Sequence, residues 1–255
     1  MDLVRAAFRM QVRAALAQPT FYMVLFTVPP YTVLFLAVVQ DAGRDDLVAH
    51  AVLAPVLIAI WAFAIWVSGG MVRGDRWLGT LELAVASPAS YPVVLTVRIF
   101  ALTLISLLAF IEVWFTAWLG FGIVITVPHP LIFLSSLLAS ILAMAATAMA
   151  MSSIFVLSRV ALTFQIAVSY PFYVLGGVLV PVDLLPGWVQ PFTKVIFLSW
   201  ASDLLRDSLA AAPVENPWGR IGVILLITVA TFALGRALID RIISKIRVTG
   251  EISAA

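Results

Sequence analysis

Between Arg98 and Arg159, sixty consecutive residues carry a single charged side chain, Glu112. A helix needs about 20 mainly apolar residues to cross the ~30 Å hydrocarbon core of a bilayer. The stretch is therefore too long for one crossing and suits two, with Pro128-His129-Pro130 as the turn between them. The rest of the chain has the same character: of 255 residues, 63% are hydrophobic and 11% charged, where an ordinary soluble domain has about 25% charged. A soluble core of this size cannot hide so much apolar surface. That excludes a soluble enzyme and makes lipid the solvent.

Six spans are expected, at about residues 21–39, 51–70, 93–118, 131–157, 160–182 and 221–239. The first contains Pro29-Pro30, whose missing backbone donors predict a kink near mid-membrane. Ahead of it, residues 2–18 read as a helix with Arg5, Arg9 and Arg13 four apart. One charged stripe on an otherwise apolar cylinder suits a helix lying along a membrane surface; the alternative, a cleaved signal peptide, fits less well because the basic residues are spread through the segment. Residues 40–50 form a short acidic loop, 71–92 a polar loop ending in Ser87-Pro88 and Tyr91-Pro92, and 183–218 a mixed segment punctuated by Pro186, Pro191, Pro213 and Pro217. Small residues recur every four positions in the fourth span (Ser136, Ser140 and Met144, with Ala139, Ala143 and Thr147), a pattern for close helix packing.

An even number of spans puts both termini on one side. With that side cytoplasmic, it holds Arg5, Arg9, Arg13, Arg73, Arg76, Arg98, Arg159, Arg236, Arg241, Lys245 and Arg247, eleven of the fifteen Lys and Arg residues. Positive charge concentrated on the cytoplasmic side is the expected orientation for a cell-membrane protein. The net charge of +2 is thus a topology signal, and no nucleic-acid partner is expected.

Few residues are left for chemistry. Without cysteine there is no disulfide, thiolate nucleophile or cysteine-ligated metal. His50 and His129 are both expected in outer loops, solvated or interfacial; they suggest no metal site, and no nucleophile–base pair is apparent. No catalytic residue is assigned. Glu112 lies inside an apolar run, where a charge costs on the order of 3 kcal/mol. It is either a polar site for substrate or gating, or an acid near the outer interface that is protonated or bonded to a neighbouring helix, with Trp114 and Trp118 close by. The nearest approach to a phosphate loop, Gly74-Asp75-Arg76-Trp77-Leu78-Gly79-Thr80, lacks the lysine that would reach the phosphates. Any ATP chemistry must belong to another chain.

The same segment reads more simply as a connection between spans, in which residues 80–86 form a short helix ended by Ser87-Pro88. The run Arg73-Gly74-Asp75-Arg76-Trp77-Leu78-Gly79-Thr80-Leu81-Glu82-Leu83, followed by Ala86-Ser87-Pro88, resembles the cytoplasmic loop of permeases in the type-2 ATP-binding-cassette exporter family. A second match, Gly176-Gly177, Pro181, Leu185-Pro186, Trp188, Asp203 and Arg206, falls in the order that family uses. Departures are Gly176, where the family often has serine, and Phe197-Leu198-Ser199-Trp200 in place of its "P-L-x-Y". Read without the resemblance, Gly176-Gly177 marks close packing or a flexible backbone between Pro171 and Pro181.

The resemblance implies an all-α, polytopic permease with six transmembrane helices, an N-terminal amphipathic interfacial helix and two short re-entrant outer helices, at about 186–197 and 199–211, before the last span. It implies cytoplasmic ATPase subunits, with ATP and magnesium on those partners and no cofactor on this chain, and a second permease copy or paralogue in the bilayer. Coupling to the ATPase would fall to Arg73, Arg76, Gly79, Thr80, Leu81, Glu82, Ser87 and Pro88, and the substrate path or gate to Glu112, Gly176, Gly177, Pro181, Trp188, Phe192 and Trp200. It leans toward the drug-resistance and lipooligosaccharide-exporting branch, hence an amphipathic drug-like, lipid or glycolipid cargo. A polysaccharide exporter of the same architecture and a stand-alone proton-coupled carrier using Glu112 are the alternatives. Glu82→Ala is expected to lower transport-coupled ATP hydrolysis while assembly, followed by co-purification, stays intact; normal coupling in that variant would remove Glu82 from the contact.

Overall fold

The computed structural model describes residues 2–17, 19–67, 79, 91–157 and 161–249. Helices α1 (Asp2–Ala17) and α2 (Pro19–Asp41) are followed by a 3-10 turn, Asp45–Leu47, and by α3 (Val48–Ala62), which widens into a π-helical turn at Phe63–Val67. Then come α4 (Tyr91–Ile105), α5 (Leu108–Phe121), α6 (Pro130–Leu157) and α7 (Ala161–Leu175). A 3-10 turn at Val182–Leu184 leads through the four-residue α8 (Gln190–Thr193) to α9 (Phe197–Leu209), and α10 (Pro217–Thr249) ends the described chain.

Among the described residues five stretches are long and apolar enough to cross a bilayer: Phe21–Asp41, Asp45–Ile65, Val93–Phe121, Pro130–Ser152 and Pro217–Ile242. The fold is all-α and of multi-pass membrane type. Helices are forced here because hydrocarbon offers peptide groups no partner, so each must be bonded within its own segment. Hydroxyls obey the same rule: Ser136, Ser140, Thr147 and Ser152 each donate to the carbonyl four residues earlier in α6, at 2.6–2.9 Å. At Ser106-Leu107, between α4 and α5, the backbone stays bonded through i→i+3 pairs such as Ala109 N–H to the Ser106 carbonyl (3.0 Å), so the long third span bends without exposing peptide groups.

Several boundaries differ from those read in the sequence. The 160–182 segment is helical over Ala161–Leu175 only, 15 residues, and turns at Gly176-Gly177. The third helical stretch runs on to Phe121, and the turn expected at 128–130 is the end of an extended strap, residues 122–129. Exposure alternates along that strap, with Ile123, Ile125 and Val127 half-buried between exposed neighbours. Helix α2 continues through Pro29 and Pro30. Of the two short helices expected before the last span, the second corresponds to α9, whereas the first is reduced to α8, with Pro191 in its first turn, and flanking turns.

Helices α3 and α6 are the most enclosed, and α2 and α10 the most exposed. Helix α6 packs mainly along α10, and also on α9 and α4; α3 sits between α2, α5 and α9. Helix α1 lies along α4, where the Arg98 Nε–H donates to Gln11 Oε1 at 2.8 Å. The α6–α10 seam depends on small residues: a Cβ on Gly235 would stand 2.7 Å from both the Cα and the backbone nitrogen of Ala150. Backbone cannot yield as a side chain does, so the helices would have to part. Gly235→Ala is expected to cost about 1–3 kcal/mol by overpacking, seen as a lower unfolding midpoint in detergent; an unchanged midpoint would show that the seam is not tight.

Candidate functional site

Polar side chains converge at the end of the bundle where α3 and α10 begin and α7 ends. Helix α7 stops in a Schellman turn: the Val178 N–H bonds the Tyr173 carbonyl (3.0 Å), the Gly177 N–H bonds the Val174 carbonyl (3.1 Å), and Gly177 has φ +66°. Its neighbour Gly176 serves a different purpose. A Cβ there would lie 2.7 Å from the Leu198 side chain, so only glycine lets α9 come this close. Ser202 closes the contact by donating to the Gly176 carbonyl at 2.7 Å.

One turn along α9, Arg206 gathers the cluster. Its Nη1 donates to the Gly177 carbonyl at 2.8 Å and meets His50 Nδ1 at 2.6 Å; its Nη2 reaches Ser202 Oγ at 3.3 Å and pairs with the Asp203 carboxylate. A guanidinium can only donate, so His50 Nδ1 is the acceptor and the imidazole proton sits on Nε2. That Nε2–H is buried and has no partner. Burial pushes the Asp203 carboxyl above its ordinary range, and the nearby Arg206 opposes the shift only in part. Two further links hold α9: Asp207 pairs with Arg220 of α10 at 2.5 Å, and His129 at the end of the strap bonds the Ser208 and Ala212 carbonyls, at 3.3 and 2.9 Å.

A second polar contact lies within the helices. The Trp61 indole N–H donates to Ser169 Oγ at 3.0 Å and its ring stacks on Phe172, while Gln165 Nε2 donates to the Ile65 carbonyl in the π turn at 3.2 Å. Glu112 stands apart on α5. It is half-buried, its Oε2 is enclosed without a partner, and Thr116 bonds only its backbone carbonyl. Nearby, the Trp114 indole N–H bonds the Ile125 carbonyl at 3.3 Å and pins the strap to α5. Apolar hollows of about 400 and 350 Å³ lie on either side of Trp114, the larger bordered by Phe115, Trp118 and Val124.

Of the residues proposed from sequence, the structure brings Gly176 and Gly177 together and sets Pro181 at the entry to the following 3-10 turn. Glu112 does not join them. Trp188 and Phe192 are exposed, and half-buried Trp200 bonds the Lys194 carbonyl at 2.9 Å, so these aromatics do not converge on a shared pocket. Arg5, Arg9 and Arg13 are exposed on α1, with Ala7, Gln11 and Ala15 buried. Gly79 is exposed with φ +67°; Arg73, Arg76, Thr80, Leu81, Glu82, Ser87 and Pro88 lie outside the described residues.

His50 requires a correction. It is not the outer-loop residue expected from sequence: it occupies the first turn of α3, 8% exposed, because the helix begins at Val48, directly after the run of acids. His129 does lie between helices but is bonded to the end of α9 rather than left to solvent. Among the described residues no three His, Cys, Asp or Glu side chains are grouped to hold a metal ion.

Long apolar helices joined by polar end-clusters define a multi-pass helical membrane protein. Its family is the ABC-2 type transporter family, to which this chain belongs, matched over residues 3–210. Over 112 residues, 44% of its length, the chain is also 31% identical to Nodulation protein J of Rhizobium meliloti (strain 1021), and this match spans 41% of that relative. The family match takes in both α1 and the turn-and-α9 cluster. Gly177→Ala is expected to cost about 1–2 kcal/mol for a left-handed non-glycine residue, with added strain because its Cβ would lie 2.9 Å from Val182 Cγ2. Thermal unfolding with Gly187→Ala as the control, where a Cβ meets nothing within 4 Å, measures the difference.

Proposed function

We propose that the chain is the membrane-spanning permease subunit of an ATP-driven exporter, inserted in the cell membrane with both termini in the cytoplasm. The observation that carries this reading is the ABC-2 family match over residues 3–210, joined to a sequence that has no phosphate-loop lysine of its own. Energy then comes from cytoplasmic ATPase subunits, which bind ATP and magnesium, and a second permease copy or paralogue completes the path. Arg73, Arg76, Gly79, Thr80, Leu81, Glu82, Ser87 and Pro88 receive the ATPase movement, and α1 lies along the inner membrane surface with Arg5, Arg9 and Arg13 toward anionic headgroups. A connection of this kind does work only if nucleotide favours one of two permease states over the other.

The substrate proposed is amphipathic: a drug-like molecule, a lipid or a glycolipid. Support comes from the apolar hollows beside Trp114 and from the exposed Phe115, Trp118, Trp188 and Phe192 at the end of the bundle read as outer. Residues 183–218 would dip back into the outer leaflet. A polysaccharide cargo fits the same architecture. The rival is a stand-alone proton-coupled carrier, favoured by the unanswered Glu112 Oε2 but, among the described residues, by no acid or base bonded to it, where proton relays use several.

Purification of the tagged chain from its native membrane in mild detergent, with identification of co-purifying proteins and an ATP hydrolysis assay, tests the reading. A stoichiometric ATPase with measurable hydrolysis is expected. The chain alone, without hydrolysis under conditions that keep other complexes intact, would put the proton-coupled carrier first.

A further inference from the structure

The buried Nε2–H of His50 has no partner, although the Ser202 hydroxyl in the same cluster is bonded. That orphan follows from the other ring nitrogen. Arg206 can only donate, so the 2.6 Å contact exists only while His50 Nδ1 carries a lone pair. The neutral imidazole accepts there and keeps its proton on Nε2. A second proton would have to go to Nδ1, which removes the acceptor and sets an imidazolium against a guanidinium.

The Leu179 and Val178 backbone groups, neutral acceptors beside the ring, are too weak to offset that second charge against burial and the facing Arg206, and among the described residues no free carboxylate faces it. On α9, Arg206 is the facing cation and Asp203 is engaged on its other nitrogen, Nη2. Asp207, on the same helix, is paired with Arg220 of α10. The turn after α7 presents the Gly177 backbone carbonyl, already bonded to Arg206 Nη1. Asp183, in the 3-10 turn beyond it, is exposed. In the 3-10 turn that precedes α3, Asp45 is exposed, and Asp46 holds Arg44 through two bonds of 2.7 and 2.8 Å. A proton on His50 is relieved by separation of α9 from α3.

We propose that the His50–Arg206 bond is a proton-sensitive latch, closed while His50 is neutral, which holds α9 and the 182–216 segment against α3 and which one proton opens. The sign follows from the geometry: the closed state is favoured at high pH and lost as pH falls, and with one proton involved the closed-to-open ratio changes at most about tenfold per pH unit. The proposal rests on the exporter reading only in taking this end as the outer side, from which the proton arrives. There it would let acidity outside the cell loosen the segment proposed to dip into the outer leaflet.

The chain has no cysteine, so Ala42→Cys and Ala211→Cys, both at exposed positions, place two spin labels cleanly across the latch. Distances in the purified chain, reconstituted in bilayer discs, are measured by pulsed electron resonance from about pH 8 to about pH 2.5, far below the ordinary histidine value of ~6.5 because the facing guanidinium opposes the second proton. A single short distance at high pH is expected, giving way to a longer one in acid. His50→Gln, whose amide oxygen accepts from Arg206 and gains no proton, should stay short throughout; His50→Ala should show the longer distance at every pH. An unchanged distance in the parent protein, or the same acid response in His50→Gln, overturns the proposal. A second measurement does not depend on the folding of these His50 variants. The chain has two histidines, so nitrogen-15 spectra of His129→Asn report His50 alone, and a proton on Nδ1 at neutral pH would also overturn it. Neither experiment uses ATP, a partner or a substrate, so the latch and the exporter reading fail separately.

Discussion

Hydrocarbon cannot hydrogen-bond to a peptide group, and that deficit shapes the whole chain. Each unsatisfied group in lipid costs several kcal/mol, so the apolar runs become helices whose hydroxyls turn back on their own carbonyls, as Ser136, Ser140 and Thr147 do. Where a helix must stop, the freed groups need an answer at once. After α7 the answer is the Gly177 turn together with Ser202 and Arg206, which take the Gly176 and Gly177 carbonyls. The cluster read as functional thus begins as a solution to a backbone problem.

Lipid also removes the hydrophobic drive for one helix to find another, so packing depends on fit. The seam between α6 and α10 meets that demand with Gly235 against Ala150, and Gly176 lets α9 approach α7 in the same way. Elsewhere a few buried polar contacts set the relations between helices: Trp61 with Ser169, Gln165 with the Ile65 carbonyl, Arg98 with Gln11. Each joins residues far apart in the chain. In a low-dielectric interior such bonds are strong when made and costly when half made, which is why the unpartnered His50 Nε2 and Glu112 Oε2 stand out.

Much of the architecture was legible in the residues, because a run of 20 apolar side chains has one stable answer in a bilayer. The long uncharged stretch around Glu112 announced two helices, and the small residues of α6 fall on its buried positions. Helix ends were harder to place. Val178 to Val182 is as apolar as the helix before it, yet the chain turns at Gly177, where packing of α9 decides the stop. Gly122 ends α5 with φ +66°, and Ile123 to Val127 then run extended although their composition would also suit a helix.

The candidate site divides in the same way. Gly176, Gly177, Asp203 and Arg206 could be picked out from their order along the chain, but nothing in that order pairs Arg206 with a histidine 156 residues away. By itself the sequence determined that this protein lives in a membrane and is helical, with most of its length in long apolar runs; these follow from side-chain transfer energies and local backbone chemistry. Only the tertiary structure decided that His50 is a buried acceptor rather than a loop residue, that Glu112 stands away from the cluster, and that α9 is held to α3, α7 and α10. Those outcomes depend on which helix faces meet, and interactions between distant segments are written in no local stretch of the chain.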